Sequence, residues 1–224
     1  GDFAFVDLDD RVMVQANTDV KEGLTPGSIF RAFTGNGVFF WQPITSLSHI
    51  LDGELFEFDA GYHHWENVVL HACNAILLFF FLLRTFGHPW RCALVSSMFA
   101  LHPLRVESVA WISERQGLLC ALFSILTLWT YVSNAERRRS RQRDGVVVLL
   151  FCLALMSKPT AISLPLVMLL LDRWPLNRFA AMPARALVKE KLPLFAAAAL
   201  SAVITVITNT GPIILLDSLP LRLR

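Results

Sequence analysis

The sequence predicts an all-α, polytopic helical membrane protein with an outer loop of amphipathic helices. Three observations predict it. Hydrophobic residues make up 54% of the 224 residues and the mean hydropathy is +0.51, too apolar for an ordinary water-soluble domain. Five or six apolar runs follow residue 66. Charge is segregated: 11 of the 18 acidic residues lie in residues 1–66, against only Arg11, Lys21 and Arg31, and the later basic residues gather between apolar runs. That placement of arginines in short loops excludes nucleic acid as a partner and makes membrane lipid one. Cys73, Cys92, Cys120 and Cys152 all lie inside apolar runs and read as small core residues. The chain divides into an extracytoplasmic loop, 1–66, and a transmembrane helical bundle, 67–224. It starts Gly1-Asp2-Phe3 without an initiator Met or signal peptide and ends at Arg224 after an apolar span, so it reads as a piece of a larger membrane protein.

The acidic loop carries two helix starts. Thr25-Pro26 supplies a cap and a first-turn proline, and Ile29, Phe30 and Phe33 then form an apolar stripe. Pro43 opens a second helix with Ile44, Leu47 and Leu51 on one face. These amphipathic helices are expected to lie on the membrane surface or on the bundle, as a roof over an outer cavity. Before them stand two adjacent acids, Asp9 and Asp10, which are costly at the edge of a membrane bundle unless they are used.

A membrane core about 30 Å thick takes roughly 20 helical residues. Val68–Phe86, Leu118–Val132 with its flanks, and Leu192–Thr208 are full crossings or nearly so; Cys92–Leu101, Val146–Met156 and Thr160–Leu171 fall short. Basic residues orient them. Arg84 and Arg91, then Arg137, Arg138, Arg139, Arg141 and Arg143, then Arg173, Arg178, Arg185, Lys189 and Lys191 mark three cytoplasmic loops. Segment 1–66, the stretch His102–Gln116 and the turn Ser157-Lys158-Pro159 then face the other side.

Both flanks of Val146–Leu171 are basic, so the segment predicts a hairpin with its tip at Lys158, each arm about 16–18 Å long at 1.5 Å per residue. Irregular backbone at that depth must be buried in protein or line a watery cavity, which makes Lys158 a candidate anion site. The plainer reading is a lysine that snorkels to the interface. His102 to Arg115 predicts a short helix opened by Pro103, with Glu107, Trp111, Glu114 and Arg115 on one face. That face is either a Glu–Arg lattice between helices or a polar wall where Arg105 or Arg115 neutralises a phosphate. His64, Asn67, His71 and Asn74 recur along one face of the first span and should point into the bundle. His64 and His71 are two turns apart, about 10 Å, too far to share an ion, so no metal ligand is assigned.

Residues Phe5 to Val20, with Asp9-Asp10, Val14, Asn17 and Asp19-Val20, carry a resemblance that continues in order along the chain. It runs through Gln42-Pro43-Ile44-Thr45, Tyr62-His63-His64-Trp65-Glu66-Asn67 to His71, Phe99 to Pro103, Glu107, Val109-Ala110, Glu114-Arg115-Gln116 and Ser157-Lys158-Pro159. The chain resembles the tetratricopeptide transmembrane O-mannosyltransferase family, its bacterial members more than its animal ones. Relative to the family, the sequence is expected to begin after the first membrane helix and to end before the tetratricopeptide repeats. The resemblance implies a GT-C glycosyltransferase bundle in a membrane, such as a bacterial inner membrane, with its site facing the periplasm or exterior. It implies a polyprenyl-phosphate sugar donor, mannose-type, and a Ser or Thr hydroxyl of a translocated protein as acceptor. Asp9 is then the general base, where this superfamily places its catalytic Asp, and Asp10 orients it. Lys158, Arg115 and Arg105 are the donor-phosphate cations, and His102, Glu107 and His64 shape the pocket. No cofactor is required beyond the lipid-linked sugar; a divalent metal held by Asp7, Asp9 and Asp10 is the alternative. Two other functions fit the same residues. One is a transporter or channel subunit, suggested by the broken hairpin. The other is a GT-C enzyme that modifies a lipid or glycan.

Overall fold

The structure is a computed structural model, and it describes residues 9–34, 41–56, 59–136 and 140–208. Among the described residues every regular element is helical. After a π-helical turn at Arg11–Gln15 the chain forms α1 (Thr18–Glu22), α2 (Pro26–Thr34) and α3 (Pro43–Phe56). The bundle follows as α4 (Ala60–Phe86), α5 (Pro89–Leu101), α6 (Arg105–Ala110), α7 (Arg115–Glu136), α8 (Arg141–Ser157) and α9 (Leu164–Arg173). It closes with α10 (Arg178–Ala181), α11 (Ala184–Glu190) and α12 (Leu192–Thr208). Short 3₁₀ turns at Ile112–Glu114 and Pro159–Ser163 join α6 to α7 and α8 to α9. Asp7 and Arg137, Arg138 and Arg139 lie outside the described residues.

Local chemistry sets the boundaries. Thr25 Oγ1 accepts the Ser28 N–H at 3.0 Å, capping α2 as its Thr-Pro start predicts. The Asp59 carboxylate accepts the Gly61 N–H at 2.8 Å and starts α4. Gly87, at φ 71°, ends that helix in a left-handed turn with its N–H on Leu83 O. Lys158 is extended at φ −153° and ψ 129°, the conformation a following proline imposes.

Among the described residues, two helices, Ala60–Phe86 and Ile112–Ala135, are long and apolar enough to cross a membrane. The third expected crossing qualifies only when Ala184–Glu190 and Leu192–Thr208 are taken as one span bent by 51°. The chain is therefore an integral membrane protein by the length and composition of its helices.

The hairpin at Lys158 forms. At one end of α7, Asn134 Nδ2 donates to Asp144 Oδ1 at 2.6 Å and the Tyr131 hydroxyl donates to Asp172. At the other end, Cys120 Sγ donates to the Lys158 carbonyl at 3.8 Å. So α8 rises along α7 and α9 returns. The rings of Phe86 and Trp174 stand 5.0 Å apart, which brings the end of α4 to the same level as the end of α9. All three basic loops thus gather at one end of the bundle, the arrangement that positive-inside orientation requires.

The roof sits on the opposite end. α1 crosses α3 at Gly53, where an added Cβ would lie 2.7 Å from Val20 O. Val14, Val20, Ile50, Ala60 and Ile112 form a small core that binds roof to bundle. Thr45 Oγ1 donates to Ser157 O at 3.0 Å, fixing α3 to the hairpin tip. The face that α3 buries differs from the expected one. Thr45, His49, Ile50 and Asp52 are buried, whereas Leu51 is exposed. Lipid outside and a polar site within reverse the usual inside-out order. On α2, Ile29, Phe30 and Phe33 are exposed, as a stripe meant for lipid would be. Cys73 is exposed on α4, so it is not a core residue, whereas Cys92 and Cys120 are buried.

The helix expected across His102–Arg115 is broken. Trp111 takes an extended backbone, φ −95° and ψ 116°, between α6 and the 3₁₀ turn. Asn67 Nδ2 donates to the carbonyls of Val109 (3.4 Å) and Trp111 (3.1 Å), which occupies acceptors a continued helix would use. Glu107 is therefore exposed while Arg115 is fully buried, and the two do not share a face.

Candidate functional site

The short turn Ile112–Glu114, with Arg115 after it, organises the outer end. Ser113 donates its backbone N–H to Asp10 Oδ1 at 2.9 Å, and its hydroxyl donates to the same oxygen. Asp10 is fully buried; Asp9 beside it is half-buried. The next residue, Glu114, accepts from Lys158 Nζ at 3.1 Å, and its other oxygen accepts from Gln116 Nε2 at 3.0 Å. The Lys158 side chain is 28% exposed, so its charge is paired yet reachable. Ser113 and Glu114 are neighbours in sequence, and they anchor Asp10 of the acid pair and the hairpin lysine respectively. These two expected features, remote in sequence, converge on one turn.

Arg115 faces the other way. Its Nε donates to Asn67 Oδ1 at 2.9 Å and NH2 donates to His63 O at 3.0 Å. NH1 pairs with Asp52 and lies 3.0 Å from Glu66 Oε2. With both sides of the guanidinium committed and no exposure, Arg115 holds the turn onto α3 and α4. This is the lattice reading, with Asp52 and Glu66 as partners. Removing one member of such a buried pair leaves an uncompensated charge, at a cost of about 3–5 kcal/mol.

The pocket residues gather separately. His64, Trp65, Val68, His71, His102 and Arg105 line a mostly apolar cavity of about 510 Å³ between α4 and α6. The Arg105 guanidinium rests over the Phe99 ring, 4.6 Å from its centroid. Glu107 is exposed and does not line this cavity. The polar stripe of α4 turns inward as expected. His71 Nε2 sits 3.0 Å from Ala100 O, and Asn74 Nδ2 donates to Leu118 O at 2.9 Å. Asn67 joins the two groups, since its amide touches the wall of the cavity through Val109 and the hub through Arg115.

Sequence reasoning missed His49, Asp52, His63 and Glu66. His49 and Asp52 stand at i and i+3 on a helix read for its apolar residues, and that spacing was the available signal. Burial beside Arg115 pulls His49 down to about 3. Asp52 is held below the usual carboxylate range: burial opposes this, but His63, Glu66 and Arg115 outweigh it.

Fold and site together define a polytopic helical membrane protein with a polar site at the end opposite its basic loops. Comparison with known proteins narrows this. The chain is 30% identical over 148 residues (61% of the chain, 21% of the relative) to Protein O-mannosyl-transferase F38B6.6 of Caenorhabditis elegans. It is 30% identical over 182 residues (73% of the chain, 19% of the relative) to Protein O-mannosyl-transferase Tmtc2 of Drosophila melanogaster. It is 30% identical over 98 residues (44% and 12%) to human Protein O-mannosyl-transferase TMTC2. The chain thus spans about a fifth or less of the curated relatives it matches. No protein-family model matches it, and no solved structure matches it significantly.

Proposed function

We propose that the chain is the membrane region of a protein O-mannosyltransferase of the tetratricopeptide transmembrane type, with a GT-C mechanism. The observation that carries this reading is the single turn whose adjacent residues Ser113 and Glu114 hold Asp10 and Lys158. The acid pair and a cation brought to one turn suit a displacement that expels a phosphate anion and releases one proton. The naming of similar proteins as O-mannosyl-transferases supports the same chemistry.

The donor is a polyprenyl-phosphate mannose-type sugar and the acceptor a Ser or Thr hydroxyl. Asp9 takes the hydroxyl proton as the oxygen attacks the anomeric carbon from the face opposite the phosphate. The new C–O bond forms, the bond to the phosphate oxygen breaks, and the lipid phosphate leaves with the electron pair. One displacement inverts the anomeric centre. Asp10, pinned by Ser113, fixes the backbone that presents Asp9. Lys158 exchanges Glu114 for the developing phosphate charge. The apolar cavity beside Arg105, His64 and His102 suits the first isoprene units, with Arg105 near the headgroup. The site faces away from the cytosol, toward the periplasm or exterior in a bacterial inner membrane.

Asp9→Asn in the full-length protein tests this. Loss of a positioned base is expected to cut transfer by about 10²–10⁴-fold with expression and thermal stability unchanged. Transfer retained at the wild-type rate would place the base elsewhere.

A further inference from the structure

A second polar cluster lies under the roof, apart from the acid pair and Lys158. His49 and Asp52 leave α3 from one face, and His63 opposes them on the first turn of α4. The three are 1%, 1% and 0% exposed, and one ligand atom of each lies within 4.8 Å of the others. His63 Nδ1 is 3.0 Å from Asp52 Oδ2. His49 is the anomaly. Neither of its ring nitrogens has a hydrogen-bond partner among the described residues, although the ring is sealed from solvent. Buried imidazole nitrogens are ordinarily satisfied, so this ring calls for a partner.

The charges are compatible with a cation. Burial, then the nearby Arg115, holds His49 at about 3, so the ring is neutral at physiological pH and offers a lone pair. Arg115 also meets Asp52 Oδ2, but a carboxylate has about four lone-pair positions and one guanidinium does not exhaust them. Asp52 is held below the usual carboxylate range and supplies the anionic ligand, whereas burial and then Asp52 raise Glu66 to about 8. Glu66 Oε2 is itself buried without an aligned donor.

We propose that His49, Asp52 and His63 bind one divalent first-row metal ion, of the zinc class, which staples roof helix α3 to membrane helix α4. Two imidazoles and a carboxylate are a zinc-type donor set, and Glu66 or water completes the shell. The pairing of two ligands three residues apart on one helix with a third from a facing helix is a common way for bundles to build such sites. Tetrahedral closure puts ligand atoms about 3.4 Å apart, so the present spread must shrink by roughly an ångström. The unrestrained His49 ring can supply that movement. Arg115, held by Asn67, bonds the Asp52 carboxylate and so orients that ligand from behind.

The test uses the full-length protein in detergent, stripped with a chelator, incubated with Zn²⁺ alone, desalted and counted by elemental mass spectrometry. Wild type is expected to keep one zinc per chain and to gain thermal stability from it. His49→Gln is expected to lose at least nine-tenths of that metal and to show no gain. His71→Gln, a buried histidine outside the cluster, is expected to keep it. Zinc absent from wild type, or equal in wild type and His49→Gln, would overturn the proposal. Should His49→Gln not fold, Co²⁺ loaded into wild type decides: intense visible bands of a four- or five-coordinate nitrogen–oxygen site are expected, and weak hexaaqua-type bands or none would overturn it.

Discussion

Two buried charge clusters mark the two ends of the bundle, and they are built to opposite ends. At the basic-loop end Asp172 accepts from Tyr131, Lys191 and Arg178, and Arg178 also pairs with Glu190 at 2.8 Å. Asp172 is fully buried and every charge there has an opposite partner in contact. The roof-end cluster uses the same ingredients but leaves them unspent. Neither ring nitrogen of His49 has a hydrogen-bond partner among the described residues, and Lys158 is paired while still open to solvent. A saturated network locks α7, α9, α10 and α11 together. An unsaturated one has capacity left for a substrate or an ion, the contrast on which the site proposed at the roof end rests.

The comparison breaks most sharply at Asp172. Asp172→Asn leaves Lys191 and Arg178 facing a neutral side chain, and is expected to cost about 3–5 kcal/mol in unfolding stability. Any activity lost should track the lost folded protein. Lys158→Ala is expected to do the reverse. Folding should be nearly unchanged, while the lipid-linked sugar needed for half-maximal transfer rises about tenfold, the worth of one charge-assisted hydrogen bond. An unchanged requirement would return Lys158 to a snorkelling role.

The smallest expected effect is a pH dependence confined to the roof. His49 titrates near 6.5 unfolded and near 3 folded, so below about 6.5 the unfolded chain binds more protons there and stability falls with acidification. Glu66, raised to about 8 by burial and then by Asp52, works the other way between pH 8 and its unfolded value near 4.5, so the His49 contribution of up to about 1.4 kcal/mol per pH unit is offset there and shows in full only below about 4.5. Asp52, also depressed, adds to the loss once pH passes below its unfolded value near 3.8. Thermal unfolding in detergent between pH 7 and 4.5 should show His49→Gln gaining stability relative to wild type as the pH falls.

Much of the frame was legible because it rests on local rules. The Thr25-Pro26 start, the Pro43 start and the reversal before Pro159 each need only a few consecutive residues, and each stands where the sequence puts it. The basic loops gather at one end because arginine spacing encodes topology directly. The site was legible only in part. Asp9, Asp10 and Lys158 were visible as costly charges, but the turn that joins them depends on Ser113 reaching Asp10 across 103 residues. Trp111 breaks a helix whose periodicity continues smoothly through it, because Asn67 on another helix takes the carbonyls. Arg115 was visible as a cation but not as a buried one. Its partners Asp52 and Glu66 sit on helices whose apolar residues dominated the pattern.

The central claim is that the acid pair and the hairpin tip open onto one compartment, away from the basic loops. Cysteine labelling with a membrane-impermeant maleimide tests it in a cysteine-free background of the full-length protein. Gln15→Cys and Thr160→Cys, both exposed at the roof end, are expected to label in intact cells, and Ser140→Cys only after permeabilisation. Labelling of Gln15→Cys and Thr160→Cys from opposite sides of the membrane would contradict the shared site.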